Sequence, residues 1–443
     1  MRPAIPTCRV LLLALLAFWP GRAWAGDAGV KPKPLFRDFM GLNVHTVLFK
    51  PDLYRPVTRL VRDYHPFQWD VGKETGHPTR FPLALNGVDW GALYGGWTRA
   101  GYAVDVCLMF DDTPPPAWKD LARDADAYGS RFAREFGPSG GRKLVEAVEI
   151  GNEPGKYDDA SYRTLFENAA RGVRRADPGL LVATCAVFAR PSGDYHKNLA
   201  TLQGLQDLYD VISVHSYPDV EGYPTWRRSF PEDPRLDFLP RVREVLAWRD
   251  AHAPGKQVWL TEFGWDATTK PQAAEGDFKT WVGVSDAEQA RYLVRAFLTL
   301  AELDIDRAYI FFFNDDDKPS VHGSSGLTRD FAPKPAFHAV AHLYAALGDY
   351  RLGRVVTRKP GEVVLAEFRH GTDPARSVWV AWSPTGHGRT AAARVRIPAG
   401  TVERVERMPL KAGPAEAVRW TRAGGGDVEL ELSESPTYLW LRR

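Results

Sequence analysis

Two glutamates stand in matched settings in this sequence. Glu153 lies in Asn152-Glu153-Pro154, directly after the apolar run VEAVEIGN (145–152). Glu262 lies in Thr261-Glu262-Phe263-Gly264-Trp265, where the run QVWLTEF (257–263) ends. Two carboxyls facing each other across a pocket are the minimum equipment for breaking a glycosidic bond. One is protonated and gives its proton to the leaving oxygen; the other is ionised and attacks the anomeric carbon. If their gap is about 5–5.5 Å, the second acts as nucleophile and configuration is retained. One glutamate at a strand end reads more readily as a surface ion-pair partner; the matched pair is what argues for chemistry.

Other polar and aromatic residues fall at similar points. His215 and Tyr217 close DVISVHSY (210–217), Arg62 and His65 sit in LVRDYHPF (60–67), and His45 ends FMGLNVH (39–45). Both histidines at strand exits, His45 and His65, are expected to line the pocket. His215 reads equally as a satisfied strand-end histidine, and Arg62 has Asp63 as an alternative partner. Trp69 serves either a sugar platform or loop packing. Asn314 ends RAYIFFFN (307–314), and the Asp315-Asp316-Asp317 run that follows lacks the ligand spacing and glycine of a calcium loop. It reads as a solvated loop. With no CxxC pair and no zinc spacing, no metal and no cofactor is expected.

Such residues act together only if a scaffold brings them to one rim. Between about residues 39 and 347 the chain alternates short apolar runs with longer amphipathic ones. The remaining strand candidates are YAVDVCLMF (102–110) and LLVATCAVF (180–188), giving eight in all. Near-continuous apolar character marks parallel strands buried on both faces. The intervening stretches carry helix ends: 118–136 stops at Gly137-Pro138, 159–176 stops at Asp177-Pro178-Gly179, and Ser285-Asp-Ala-Glu288 is a capping box opening a helix to Leu303. Eight such units predict an α/β fold, a (β/α)8 TIM barrel over residues 35–347, with catalytic groups at the C-terminal ends of the strands. A doubly wound open sheet is the rival, but no Gly-rich phosphate loop follows the first strand. After residue 347 the period becomes two, in VVLAEF (363–368), SVWVAW (377–382), AARVRI (392–397), VERVERM (402–408), AVRWTR (417–422) and DVELELS (427–433). Residues 348–443 are therefore expected to form a small C-terminal antiparallel β-sandwich. Trp379, Trp382, Trp420 and Trp440 are assigned to its core, and its first strands are candidates to pair with the stretch just after residue 25.

The N-terminus has Arg2 and Arg9 and no acid, an apolar run to Trp19, and Ala23-Trp24-Ala25. That is the charge, apolar core and exit site of a secretory signal over residues 1–25, so a secreted or periplasmic location is expected. The apolar run is too short for a permanent membrane span. Cys8 precedes that run and is not placed like a lipidated cysteine, while Cys107 and Cys185 sit in apolar strands as buried thiols. A formal net charge of +2 with dispersed Lys and Arg argues against a nucleic-acid partner. Fifteen tryptophans suit a protein that handles sugar rings.

EIGNEP, VHSYP and LTEFGW, in this order on strands four, six and seven, resemble the retaining TIM-barrel glycosidases of glycoside hydrolase clan A. GLTRDFAPKPAFHAV (326–340) resembles their closing helix, and the tail resembles the accessory domain of family 39 and its relatives. The resemblance covers essentially the whole chain after the signal. It implies a glycosidase acting on a β-linked oligo- or polysaccharide by double displacement, with Glu153 as acid and then base and Glu262 as nucleophile. Asn152 would bond the sugar 2-hydroxyl, Arg62 would keep Glu262 ionised, and Tyr217 or His215 would hold Glu262 or tune Glu153. Where the clan often has a tryptophan floor after strand eight, this chain has Phe311-Phe312-Phe313, so Trp265 or Trp69 is the substitute. The alternatives are a non-catalytic carbohydrate-binding protein on the same barrel and a transglycosylase.

Overall fold

The computed structural model describes residues 31–191, 195–386, 390–396, 401–422 and 427–442. The predicted signal segment with Cys8, and most of the AGGGD turn, lie outside them. All that follows concerns the compact unit Lys33–Arg443.

Eight parallel strands form a closed barrel: β1 (Met40–Val44), β2 (Leu60–Pro66), β3 (Ala103–Met109), β4 (Ala147–Ile150), β5 (Leu181–Phe188), β6 (Val211–His215), β7 (Gln257–Phe263) and β8 (Arg307–Ile310). Each pairs with the next in sequence, and β8 pairs with β1 to close the ring. The eighth is shorter than its apolar run because the chain leaves the barrel after Ile310. The floor of the barrel is filled by Leu60, Ala147, Ala183, Val211, Trp259 and Tyr309. Gly41 makes room for the Tyr309 ring, since a Cβ there would lie 2.3 Å from it.

The outer layer is built from α1 (Trp90–Arg99), α2 (Leu121–Phe136), α3 (Asp159–Ala176), α4 (Phe238–His252), α5 (Asp286–Leu300) and α6 (Pro335–Leu347). Asp89, Asp120 and Asp158 cap the first three with side-chain acceptors, and Ser285 with Glu288 forms the expected capping box. In place of a long helix, the connection after β1 holds a 3-10 turn, Thr46–Leu48, and a single helical turn, Pro51–Tyr54, and the described residues after β5 hold a two-residue strand, Lys197–Asn198, and the 3-10 turns Leu199–Leu202 and Gln206–Leu208. Cys107 and Cys185 are free and buried, as their apolar settings predict. No helix among the described residues is long and apolar enough to cross a membrane.

The C-terminal region is antiparallel. One sheet runs β9 (Tyr350–Lys359), β10 (Val363–His370), β11 (Arg376–Trp382), β16 (Thr437–Arg442) and β13 (Thr401–Arg407), with a two-residue strand, Glu416–Ala417, at its edge. The other runs β12 (Thr390–Arg396), β15 (Asp427–Ser433) and β14 (Trp420–Arg422). Leu365, Trp379, Ala381, Leu439 and Leu441 of the first sheet meet Val428, Leu430 and Leu432 of the second in a sandwich core. The alternate residues Val364, Ala366, Phe368, Val380, Trp382, Tyr438 and Trp440 join the barrel's own core.

Two sequence expectations are corrected here. Trp382 and Trp440 face the barrel rather than the sandwich interior, because period-two alternation sends them to the opposite side from Trp379. Of the stretch just after residue 25, a candidate to pair with the sandwich, residues 26–30 lie outside the described residues; further on, the turn Phe36–Phe39 precedes β1, and Phe36 packs edge-on against Phe368 at 5.3 Å. Asp315 and Asp317 are buried anchors rather than a solvated loop: Asp315 accepts from Lys334 and Gly326 N, and Asp317 from Thr268 and Thr269.

Candidate active site

Side chains alternate faces along a strand, and β2 shows the consequence. Arg62 and Tyr64 point into the barrel, while Asp63 and His65 point into the helical layer. Arg62 is fully buried. It donates to both Glu149 oxygens at 2.8 and 2.9 Å, to Asn43 Oδ1 and Asn152 Oδ1 at 2.8 Å each, and to Glu262 Oε1 at 3.3 Å. Burial opposes its charge, but the neighbouring Cys107 and Glu149 hold its pKa well above the ordinary value. A guanidinium only donates, so the atom that each asparagine turns to it is the oxygen. The Asn152 amide NH2 is thereby left to face outward as a donor.

Glu262 ends β7 nearly buried, with its side chain 7% exposed. Tyr64 Oη donates to its Oε1 at 2.6 Å and Tyr217 Oη to its Oε2 at 2.8 Å. Burial, then the negative charge of Glu262, raises both phenols well above their usual pKa, so both remain donors. Arg228 holds Tyr217 from behind, 4.3 Å from its ring centre and bonded to Asp219 and Asp266.

Glu153, just past β4, is dressed differently. His215 Nδ1 lies 2.8 Å from its Oε1, and His196 Nε2 lies 3.2 Å from the same oxygen. Burial raises the Glu153 carboxyl, but the contacts and charge of His196 and His215 outweigh that and hold it well below the usual range. Burial lowers the pKa of His215; the charge of Glu262 and the bond to Glu153 outweigh this and raise it. The other nitrogen of His215 reaches Glu262 Oε1 at 3.5 Å, so one imidazole touches both carboxylates.

A cavity of about 570 Å³ opens between the two glutamates, walled by His45, Tyr64, Asn152, Phe311, Phe312 and His322. Phe311 and Phe312 stack on each other at 4.8 Å and supply the aromatic wall after β8. A second cavity of about 430 Å³ shares Asp111, Asn152 and Glu153 with the first and is further bounded by Gly155, Lys156 and Tyr195.

The structure brings Glu153, Glu262, Asn152, Arg62, His215, Tyr217 and His45 to one rim, and places four other sequence candidates elsewhere. His65 is fully buried with one ring nitrogen at Tyr94 and the other at Asp70, and stacks on Trp90. Three residues from Arg62, it cannot share that residue's face. Trp265 is fully buried and donates to Ser229 O at 2.7 Å, so it is no sugar floor. Trp69 is half-buried, stacks on Trp90, and lines neither cavity. Asn314 is consumed by its own turn, its Oδ1 accepting from Thr328 Oγ1 and Phe331 N. Asp63 accepts from Thr46 N and Tyr94 Oη and is no partner for Arg62. Sequence reasoning missed Tyr64, His196, Asn43, Glu149 and His322. Tyr64 was within reach, two residues from Arg62 on the same strand; His196 and His322 lie in loops with no periodic signal.

No family model matches the sequence, and no curated protein shows significant sequence similarity to it. Solved structures share its fold. It superposes on a family 39 glycoside hydrolase from the gut symbiont Bacteroides cellulosilyticus WH2 with a TM-score of 0.66 and 20% identity, over 93% of this chain and 81% of that one. A glucosidase from Croceicoccus marinus gives a TM-score of 0.64 and 14% identity, over 93% of this chain and 97% of that one. A bifunctional glucanase-xylanase from a metagenome library gives 0.63 and 12%, with the same coverage. At these identities the similarity establishes the fold: the closed barrel with its C-terminal β-sandwich is the architecture of these proteins.

Proposed function

We propose that this chain is a retaining glycosidase that cleaves β-linked bonds of an oligo- or polysaccharide, with Glu153 as acid/base and Glu262 as nucleophile. The observation that carries the reading is the unequal dressing of two carboxyls across one cavity. Glu262 is held by three donors, Tyr64, Tyr217 and Arg62, which fix its oxygens in place for attack. Glu153 contacts two imidazoles able to pass it a proton.

In the first step Glu262 attacks the anomeric carbon, the bond to the leaving oxygen breaks, and that oxygen takes its proton from Glu153. Asn152, with its oxygen locked by Arg62, donates to the sugar hydroxyl next to the reacting carbon, a bond that strengthens as the ring gains positive charge. In the second step Glu153 removes a proton from water, the water oxygen bonds to the anomeric carbon, and Glu262 leaves. His215 contacts both carboxylates, at 2.8 and 3.5 Å, and retention of configuration is drawn from the resemblance to the retaining glycosidases of clan A. The segment over residues 1–25 supports action outside the cytoplasm.

The test is release of reducing ends from a panel of β-linked glycans, with the anomeric form of the first product followed by NMR. Products of retained configuration are expected. Inverted products would overturn the double displacement, binding without cleavage would favour a carbohydrate-binding protein, and longer products at high acceptor concentration would identify transfer to sugar.

A further inference from the structure

We propose that Glu153, His196 and His215 together form a binding site for a divalent transition-metal ion of the zinc class. The three come from separate parts of the barrel: the turn after β4, the loop after β5, and the end of β6. One donor atom from each lies within 4.8 Å of the others. His196 is held by its stack on Phe188, at 4.1 Å and 25°, and His215 is almost wholly buried.

Two features distinguish this set from an ordinary hydrogen-bonded cluster. His196 Nε2 is 3.2 Å from the Glu153 oxygen yet buried and not aligned on it, so it has no hydrogen-bond partner. The donor set is two imidazoles and one carboxylate, and the carboxylate, Glu153, also lines the cavity. That is the composition of zinc sites that keep a fourth position open, and imidazole discriminates against calcium and magnesium. Bonds of about 2.0–2.2 Å put ligands of one tetrahedral ion roughly 3.3–3.5 Å apart. The 2.8 and 3.2 Å separations from Glu153 lie close below that, so small side-chain shifts admit the ion.

Charge agrees. The Arg62 cation is matched by Glu149 in a two-point pair, which leaves the charges of Glu153 and Glu262 to face a dication. Behind His215, the Glu262 carboxylate at 3.5 Å stands where carboxylates commonly orient a metal-bound histidine. An ion here occupies the Glu153 oxygen that handles the leaving-group proton, so the loaded protein is switched off. That consequence rests on the glycosidase reading; ion binding does not.

The experiment is calorimetric titration of the full chain with Zn²⁺, paired with visible spectroscopy of Co²⁺ in the same site. Wild type is expected to bind one ion per chain, with Co²⁺ bands typical of low coordination by imidazole. His196→Ala and Glu153→Gln should each weaken binding at least about tenfold, while Glu262→Gln still binds. Absence of saturable Zn²⁺ binding to wild type, or wild-type affinity in both ligand variants, overturns the proposal. If either variant fails to fold, the wild-type Co²⁺ spectrum decides: bands of a six-coordinate aqua ion overturn it. Under glycan turnover, Zn²⁺ should inhibit and a chelator should restore activity. Binding without any glycan cleavage sinks the glycosidase reading and leaves the metal site standing. Cleavage indifferent to Zn²⁺ does the reverse.

Discussion

At the scale of single residues, the candidate site is a set of donors arranged around two acceptors. Glu262 accepts from two phenols and a guanidinium. A hydrogen bond to a charged group contributes about 1.5–3 kcal/mol, so Tyr64→Phe should lower kcat roughly 10–100-fold. Little change in KM is expected, because the bond acts on the nucleophile rather than on bound sugar. Glu262→Gln should abolish turnover with an unchanged circular dichroism spectrum, and Glu262→Gly should recover part of it with azide. Wild-type-like activity in Glu262→Gln would end the proposal. Arg62 has a different kind of importance. Arg62→Met leaves Glu149 buried without its cation, and breaking such a pair costs about 3–5 kcal/mol. A large fall in Tm is therefore expected alongside lost activity, whereas the tyrosine variant should melt like wild type.

At the scale of elements, strand alternation decides which residues see the pocket. On β2 the parity of positions sends Arg62 and Tyr64 inward and His65 outward, to a network with Asp70 and Tyr94. Position at a strand exit was therefore the wrong criterion for His65, and parity along the strand was the right one. Beyond the strand ends parity stops. Trp265 follows β7 by two residues, yet the chain turns it under the loop to Ser229 O. Trp265→Ala should cost about 3–5 kcal/mol of stability, as large-to-small core changes do. Thermal melts and KM on a cleaved glycan check this together: a raised KM with unchanged Tm would restore the residue to the sugar floor.

At the scale of the whole molecule, the larger sheet of the tail is covered on both faces. One face holds the sandwich core, and the other joins the barrel core through Phe368, Trp382 and Trp440. Glu232 ties the two regions, bonded to Arg295 of α5 and to the Trp382 indole N–H at 2.6 Å. Barrel and tail therefore should unfold together. Calorimetry of residues 26–443 is expected to show one transition, and a barrel cut at residue 347 should be insoluble, since it exposes the apolar surface that the sheet covers. Two well-separated transitions would contradict this.

The sequence by itself determined the alternation of eight strands with helices, the capping box at Ser285, the change to period two after residue 347, and the two glutamates at the ends of strands four and seven. These are local properties: each rests on apolar periodicity or on a cap within a few residues. Only the tertiary structure decided which neighbours complete the site. Tyr64, His196 and Tyr217 reach the two carboxylates from strands and loops far apart in the chain. Asn314 and Trp265 were drawn away by partners that no local pattern announces. A closed barrel brings the ends of all its strands to one rim, so proximity there follows from strand order and register rather than from distance along the chain.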